Sequence, residues 1–265
     1  MGDDHGAGRS RGVGSIDTGG RILRALAAAK GPVMLRDLAE EVGVSSAQLH
    51  SYLVSFRRME MVEQTERGLY RLGPFALQLG LSRLRSHDAY RETIARVGDL
   101  SENLGLMISI SVWGAFGATI VYVQEYAQRI HANVQVGGSY DMTVTATGKV
   151  FAAFLPRSMT RPVIEREMAD GEARRRAIFQ VSEEAFAAAV GETRRLGYAT
   201  TTDMPIPGVS AVAAPVFDHT GQMQLCLTAI GPTGMIDLTA KGPVVRGLLD
   251  FTEKLSLDLG YAHDA

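Results

Sequence analysis

The chain has 265 residues, 46% hydrophobic and 21% charged, with 27 Lys and Arg against 29 Asp and Glu for a formal net charge of −2. That composition suits a globular protein of about two domains, and it leaves only a local basic face to meet a polyanion, with Arg57, Arg58, Arg67 and Arg71 as candidates. A single cysteine, Cys226, excludes an intramolecular disulfide and fits a reducing cytoplasm; no apolar run is long enough for a bilayer, and Asp3 and Asp4 with no apolar stretch behind them do not read as a secretory signal.

Residues 1–14 are rich in glycine and charge and are expected to form a disordered tail. The stripe Ile22, Leu23, Leu26 predicts a helix over 18–29, stopped by Gly31-Pro32, with Gly19-Gly20 weakening its first turn. Two short amphipathic segments then meet at Val42-Gly43-Val44. Leu35, Leu38 and Val42 share one helical face, and Leu49, Tyr52, Leu53 and Phe56 share another. Ala39 is small where the helices would cross, and Gly43 supplies the left-handed residue that closes the first. Ser45 with Gln48 three residues on is a capping box that starts the second. This is the pattern of a helix-turn-helix, whose second helix enters the DNA major groove; an ordinary αα-hairpin is the plainer reading.

Two β-prone runs, 62–65 and 69–72, flank Glu66-Arg67-Gly68 and predict a hairpin. Its place after a recognition helix suits a wing with Arg67 at the tip, although a lone surface hairpin also fits. Gly73-Pro74 punctuates the chain, and residues 75–84 read as a helix apolar on most faces, economically buried against a second subunit. Beyond it a helix is expected from Ala89 to about Asn103, with Gly105 as its stop. Ile108, Ile110 and Val112 alternate with Ser109 and Ser111, predicting a strand with an apolar and a polar face, and 119–124 reads as its antiparallel return. Helices are predicted at 148–155, 161–170 and 183–196, strands at 209–217 and 223–230, and a last helix over 243–259. The class is α/β in composition and α+β in arrangement, with an antiparallel sheet covered on one or both faces.

Three stretches carry a resemblance: Gly68-Leu-Tyr-Arg-Leu-Gly-Pro74 with the helix after it, Thr145-Ala-Thr-Gly-Lys149 followed by Phe151-Ala-Ala-Phe-Leu-Pro156, and Gly197-Tyr-Ala199 leading to Pro207-Gly-Val209 and Ala213-Ala-Pro-Val216. With Leu259-Gly-Tyr261 at the end, the chain from Ser15 to Tyr261 resembles the IclR family of bacterial transcriptional regulators. The resemblance implies a winged helix-turn-helix over 15–74, a linker helix over 75–87 and a GAF-like effector-binding domain over 88–263. It also implies a dimer or tetramer on a palindromic operator.

Family members commonly carry His-Arg in the recognition helix where this chain has His50-Ser51, which removes one candidate for bidentate contact to guanine. Ser46, Ala47, His50, Ser51 and Val54, opposite Leu49 and Leu53, are the candidates for base edges; for His50 a surface imidazole touching only backbone is the plainer alternative. Ser45, Arg57, Arg58, Arg67 and Arg71 suit phosphate. In the larger domain the segment from Gly137-Gly138 to Thr147-Gly148 ends at a helix N-terminus, attractive to a carboxylate or phosphate, with Thr145 and Thr147 as hydroxyl donors or simple caps. The resemblance adds Asp203, Ser210, Cys226 and Thr228 as effector contacts, although Cys226 also reads as a small buried hydrophobe. Where relatives often have two acidic residues, Thr201 and Thr202 stand here.

The competing class is an enzyme. The six histidines show no metal-ligand spacing, Cys226 has no neighbouring base, and neither a nucleophile elbow nor a glycine-rich phosphate loop is present. No cofactor or metal is expected. A sensing domain without sequence-specific DNA binding is the other alternative.

Overall fold

The computed structural model describes residues 13–85, 88–126, 134–169 and 181–262, and the tail expected over 1–14 lies outside them as far as residue 12. The chain divides into two compact units, Met1–Ser86 and His87–Ala265.

The first unit runs α1 (Gly14–Ala28), α2 (Leu35–Val42), α3 (Ser46–Arg58), β1 (Val62–Gln64), β2 (Tyr70–Leu72) and α4 (Pro74–Arg85). Helix α1 begins before the predicted Thr18, through Gly19-Gly20. The glycine has a packing role: a Cβ on Gly19 would stand 3.0 Å from the tip of the Phe56 ring, so its bare backbone lets α1 sit close on α3. Gly43, at φ 71°, closes α2, and the Ser45 hydroxyl caps α3 by accepting from the Gln48 N–H at 3.2 Å. Ile22, Leu38, Val42, Leu49, Leu53 and Phe56 meet in one core with Val62 and Tyr70 of the hairpin. The hairpin is antiparallel, Val62 opposite Leu72, and Tyr70 also bridges to Val33, tying it to the approach to α2.

The second unit opens with two helices, α5 (Asp88–Ile94) and α6 (Val97–Leu104), where the pattern predicts one. The chain leaves helical geometry at Arg96 (φ −124°, ψ −11°), whose guanidinium reaches Glu92 at 2.8 Å and Asp258 at 2.5 Å. The break escapes detection because Ile94, Val97, Leu100 and Leu104 keep helical spacing across it. A five-stranded antiparallel sheet follows in the order β4-β3-β7-β6-β5, from β3 (Met107–Gly114), β4 (Gly117–Gln124), β5 (Ala199–Thr201), β6 (Val209–Phe217) and β7 (Met223–Pro232). Strand β5, three residues at the edge, is too short for alternation to announce.

Helices α5, α6 and α10 (Pro243–Asp258) cover one face over an apolar core that includes Ile108, Ile110, Leu225, Leu227 and Leu248. On the other face lies α7 (Ala146–Phe154), followed by α8 (Arg157–Ala169) and α9 (Glu183–Leu196), over a second core with Met142, Val150, Phe151 and Phe186. The polar face predicted for β3 therefore does not meet water: Ser109 and Ser111 are fully buried on the α7 side.

Candidate functional site

The exposed surface of α3 is short and polar. Ser46, Ala47, His50 and Ser51 are exposed and Val54 is half-buried, while Leu49, Leu53 and Phe56 point inward. The Ser51 hydroxyl donates to the Ala47 carbonyl at 3.3 Å, so it offers lone pairs outward more readily than its proton. Ser45 is exposed, with its oxygen engaged in the cap.

The four arginines are not equivalent. Arg57, at the end of α3, donates to Gln64 Oε1 at 3.2 Å, and Gln64 Nε2 donates to the Gly68 carbonyl at 3.0 Å; the chain of bonds joins α3 to the hairpin turn. Arg71 is paired with Glu63 at 2.5 Å, which offsets its charge. Arg58 and Arg67 are exposed and make no ion pair among the described residues. Helix α4, of the same unit, presents Leu77 (64% exposed), Leu79 (49%) and Leu81 (44%).

In the second unit a cavity of about 170 Å³ opens at the N-terminus of α7. Its apolar walls come from Tyr140, Ala146 and Ile230 and from Met204, Pro205 and Ile206 in the segment before β6. Hydroxyls of Thr145, Thr147, Thr201 and Thr228 give it a polar side, Asp141 also lines it with its carboxyl pushed above the usual carboxylate range by burial and by Glu167, and no Lys, Arg or His lines it among the described residues. The Thr145 Oγ1 accepts from the Gly148 N–H at 2.9 Å and donates to the Asp141 carbonyl at 2.6 Å. Capping by Thr145 thus leaves the Ala146 and Thr147 N–H groups without an acceptor among the described residues, and both residues line the cavity. Thr147 and Thr228 share a hydroxyl hydrogen bond at 2.7 Å, as do Tyr140 and Ser109 at 2.8 Å. Burial raises the Tyr140 phenol above its ordinary range.

Thr145, Thr147 and Thr228 line this cavity; Gly148, Asp203, Ser210 and Cys226 do not. The Gly148 N–H is taken by Thr145, and a Cβ there would stand 2.4 Å from the Asp141 carbonyl oxygen and the Met142 Cα, so this glycine serves a close approach of backbones. Asp203 and Ser210 bond instead to each other's neighbourhood through Thr233. Cys226 is wholly buried in the apolar layer beneath α7, its thiol pushed up to about 12 by burial. Sequence reasoning missed Tyr140, the wall at 204–206, and Glu167 of α8, which accepts from the Met142 N–H at 2.7 Å and the Thr143 N–H at 3.1 Å and moulds the approach to α7. Only proximity in space reveals these. No group of three metal-ligating side chains exists among the described residues, and none of their helices is long and apolar enough to cross a membrane.

Known proteins share this arrangement. Residues 15–66 match the family model described as the IclR helix-turn-helix domain, and residues 82–257 match that of the bacterial transcriptional regulator IclR C-terminal. The glycerol operon regulatory protein of Streptomyces griseus is 28% identical over 258 residues, covering 95% of this chain and 98% of its own. The crystal structure of Pseudomonas aeruginosa HmgR, 32% identical, covers 95% of this chain and 100% of its own with a TM-score of 0.60. A regulator structure from Silicibacter sp. TM1040, 20% identical, shares the fold at a TM-score of 0.80 over 94% of this chain and 97% of its own. The chain belongs to the IclR family: it is a transcriptional regulator, not an enzyme, with a DNA-binding helix-turn-helix domain ahead of the family's effector-binding domain.

Proposed function

We propose that this regulator binds a palindromic operator as a dimer or tetramer and that a small organic carboxylate changes its hold on that DNA. The cavity at the start of α7 carries the reading. Its free Ala146 and Thr147 N–H groups and the positive end of the helix suit one negative charge, and the apolar wall at 204–206 suits a compact body behind it. With no cationic side chain in the lining, and with the raised Asp141 carboxyl its one acidic group among the described residues, a single carboxylate is better matched than a doubly charged phosphate.

The leucines of α4 supply the contact between copies, since an exposed run of this size is otherwise left in water. Each copy then offers one α3 to a half-site, about one DNA turn or a multiple apart. The effector acts by preferring one arrangement of the copies; a ligand with equal affinity for both would shift nothing. Base edges are read by Ser46, Ala47, His50, Ser51 and Val54, and phosphates are met chiefly by Arg58 and Arg67.

A thermal-shift screen of small carboxylates, benzoate among them, tests the effector site, because a ligand that binds only the folded state raises its melting temperature. Hits then go into binding assays with duplexes selected from a random pool, where release or tightening is expected. A hit that raises the melting temperature and leaves DNA affinity unaltered would overturn the proposed coupling.

A further inference from the structure

Asp203 sits at φ 56°, a left-handed residue at the head of the segment that walls the cavity. Its Oδ1 accepts from the Gly208 N–H at 2.9 Å and from the Thr233 hydroxyl at 2.6 Å. The Ser210 hydroxyl donates to the Thr233 Oγ1 at 3.0 Å, and the Thr233 N–H donates to the Gly208 carbonyl at 2.9 Å. Both ends of 203–208 are therefore pinned to one point, the residue that follows β7. Met204, Pro205 and Ile206, between the pinned ends, line the cavity, whereas Asp203, Gly208 and Thr233 do not.

We propose that Asp203 and Thr233 are positioning residues of the effector site, holding the 204–206 wall against the ligand without touching it. The inference rests on the effector reading of this cavity. The two lone pairs of the Asp203 Oδ1 are occupied by its two donors and Asp203 does not line the cavity, which places the carboxylate in the service of the chain's own turn.

The test uses the full chain with three substitutions. Thr233→Val removes the donor without altering the backbone, Asp203→Gly removes the carboxylate while keeping the left-handed conformation accessible, and Asp203→Asn keeps an oxygen acceptor and loses the charge. Hydrogen exchange of the 203–209 segment, with no ligand present, should quicken in the first two and stay near wild type in the third. Benzoate affinity should fall about tenfold in the first two, the size of one lost hydrogen bond to a charged group, and hold in Asp203→Asn. The two substitutions share the Thr233–Asp203 bond, while Asp203→Gly also frees the Gly208 N–H and Thr233→Val also removes the acceptor of the Ser210 hydroxyl, so the double variant should lose less than the product of the two single losses.

Unchanged exchange in Thr233→Val would overturn the proposal, and so would an Asp203→Asn loss equal to that of Asp203→Gly, which marks a direct contact. Wild-type protein that does not bind benzoate saturably overturns the carboxylate reading instead. The exchange measurements need no ligand and decide the positioning role either way.

Discussion

The two faces of the five-stranded sheet are built from the same strands and do different work. Toward α10, strands β3, β6 and β7 send Ile108, Ile110, Val212, Val216, Leu225 and Leu227. Toward α7 the same strands send Ser109, Ser111, Ala213, Cys226 and Thr228, small or hydroxyl-bearing groups that leave room for a cavity and give it hydrogen bonds. The first face is packed throughout with apolar side chains, and the second gives up some apolar contact and leaves the cavity. A strand with period-two alternation can serve both ends at once.

The largest contrast is in reactivity. Cys226 is sealed beneath α7, and burial keeps its thiol protonated to about 12, so raising the pH from about 7 to about 9 should not start labelling of the folded protein by a thiol reagent. Labelling should instead follow unfolding and run at least about a thousandfold slower than in denaturant; prompt labelling at neutral pH would show that this face opens locally. Next in size, Leu227→Ala on the α10 face should cost about 2–5 kcal/mol in urea denaturation, since the side chain is fully buried. Thr228→Val on the opposite face keeps the volume and removes the 2.7 Å partner of Thr147, so it should cost only about 1 kcal/mol of stability while altering benzoate affinity. Smallest is Ser111→Ala. The Ser111 hydroxyl is buried without a hydrogen-bond partner among the described residues, so its removal should leave stability level or raise it by up to about 1 kcal/mol. A clear loss would assign that hydroxyl a partner.

The smaller unit allows a comparison of the same kind, between arginines. Arg67→Ala should weaken binding to any duplex and reduce the slope of log affinity against log salt by about 1. Arg71→Ala should change that slope less, because Glu63 already offsets its charge.

Sequence reading served best where structure is decided locally. Gly43 and Ser45 end one helix and begin the next through bonds to residues three or four away, and both were legible as a turn and a cap. The α5–α6 break was not, because it is held by Arg96 reaching Asp258 at the far end of the chain while the apolar spacing runs on undisturbed. The burial of Ser109 and Ser111 was missed for a related reason: alternation distinguishes two faces of a strand and cannot say that both are covered. At the cavity, Thr145 and Thr147 could be named from the helix start that they form, whereas Tyr140 and the 204–206 wall meet them only through the fold. Resemblance to relatives named Asp203 as an effector contact, whereas its carboxylate accepts from the Gly208 N–H and the Thr233 hydroxyl and Asp203 does not line the cavity.

Gly148 carries a practical lesson for any redesign of this domain. With the Asp141 carbonyl and the Met142 backbone pressed against its Cα, the start of α7 and the chain leading into it are welded without clearance, and even a methyl group would prise them apart. A redesign of this cavity should therefore leave that seam alone and vary Met204 and Ile206, which line it and whose moorings lie elsewhere.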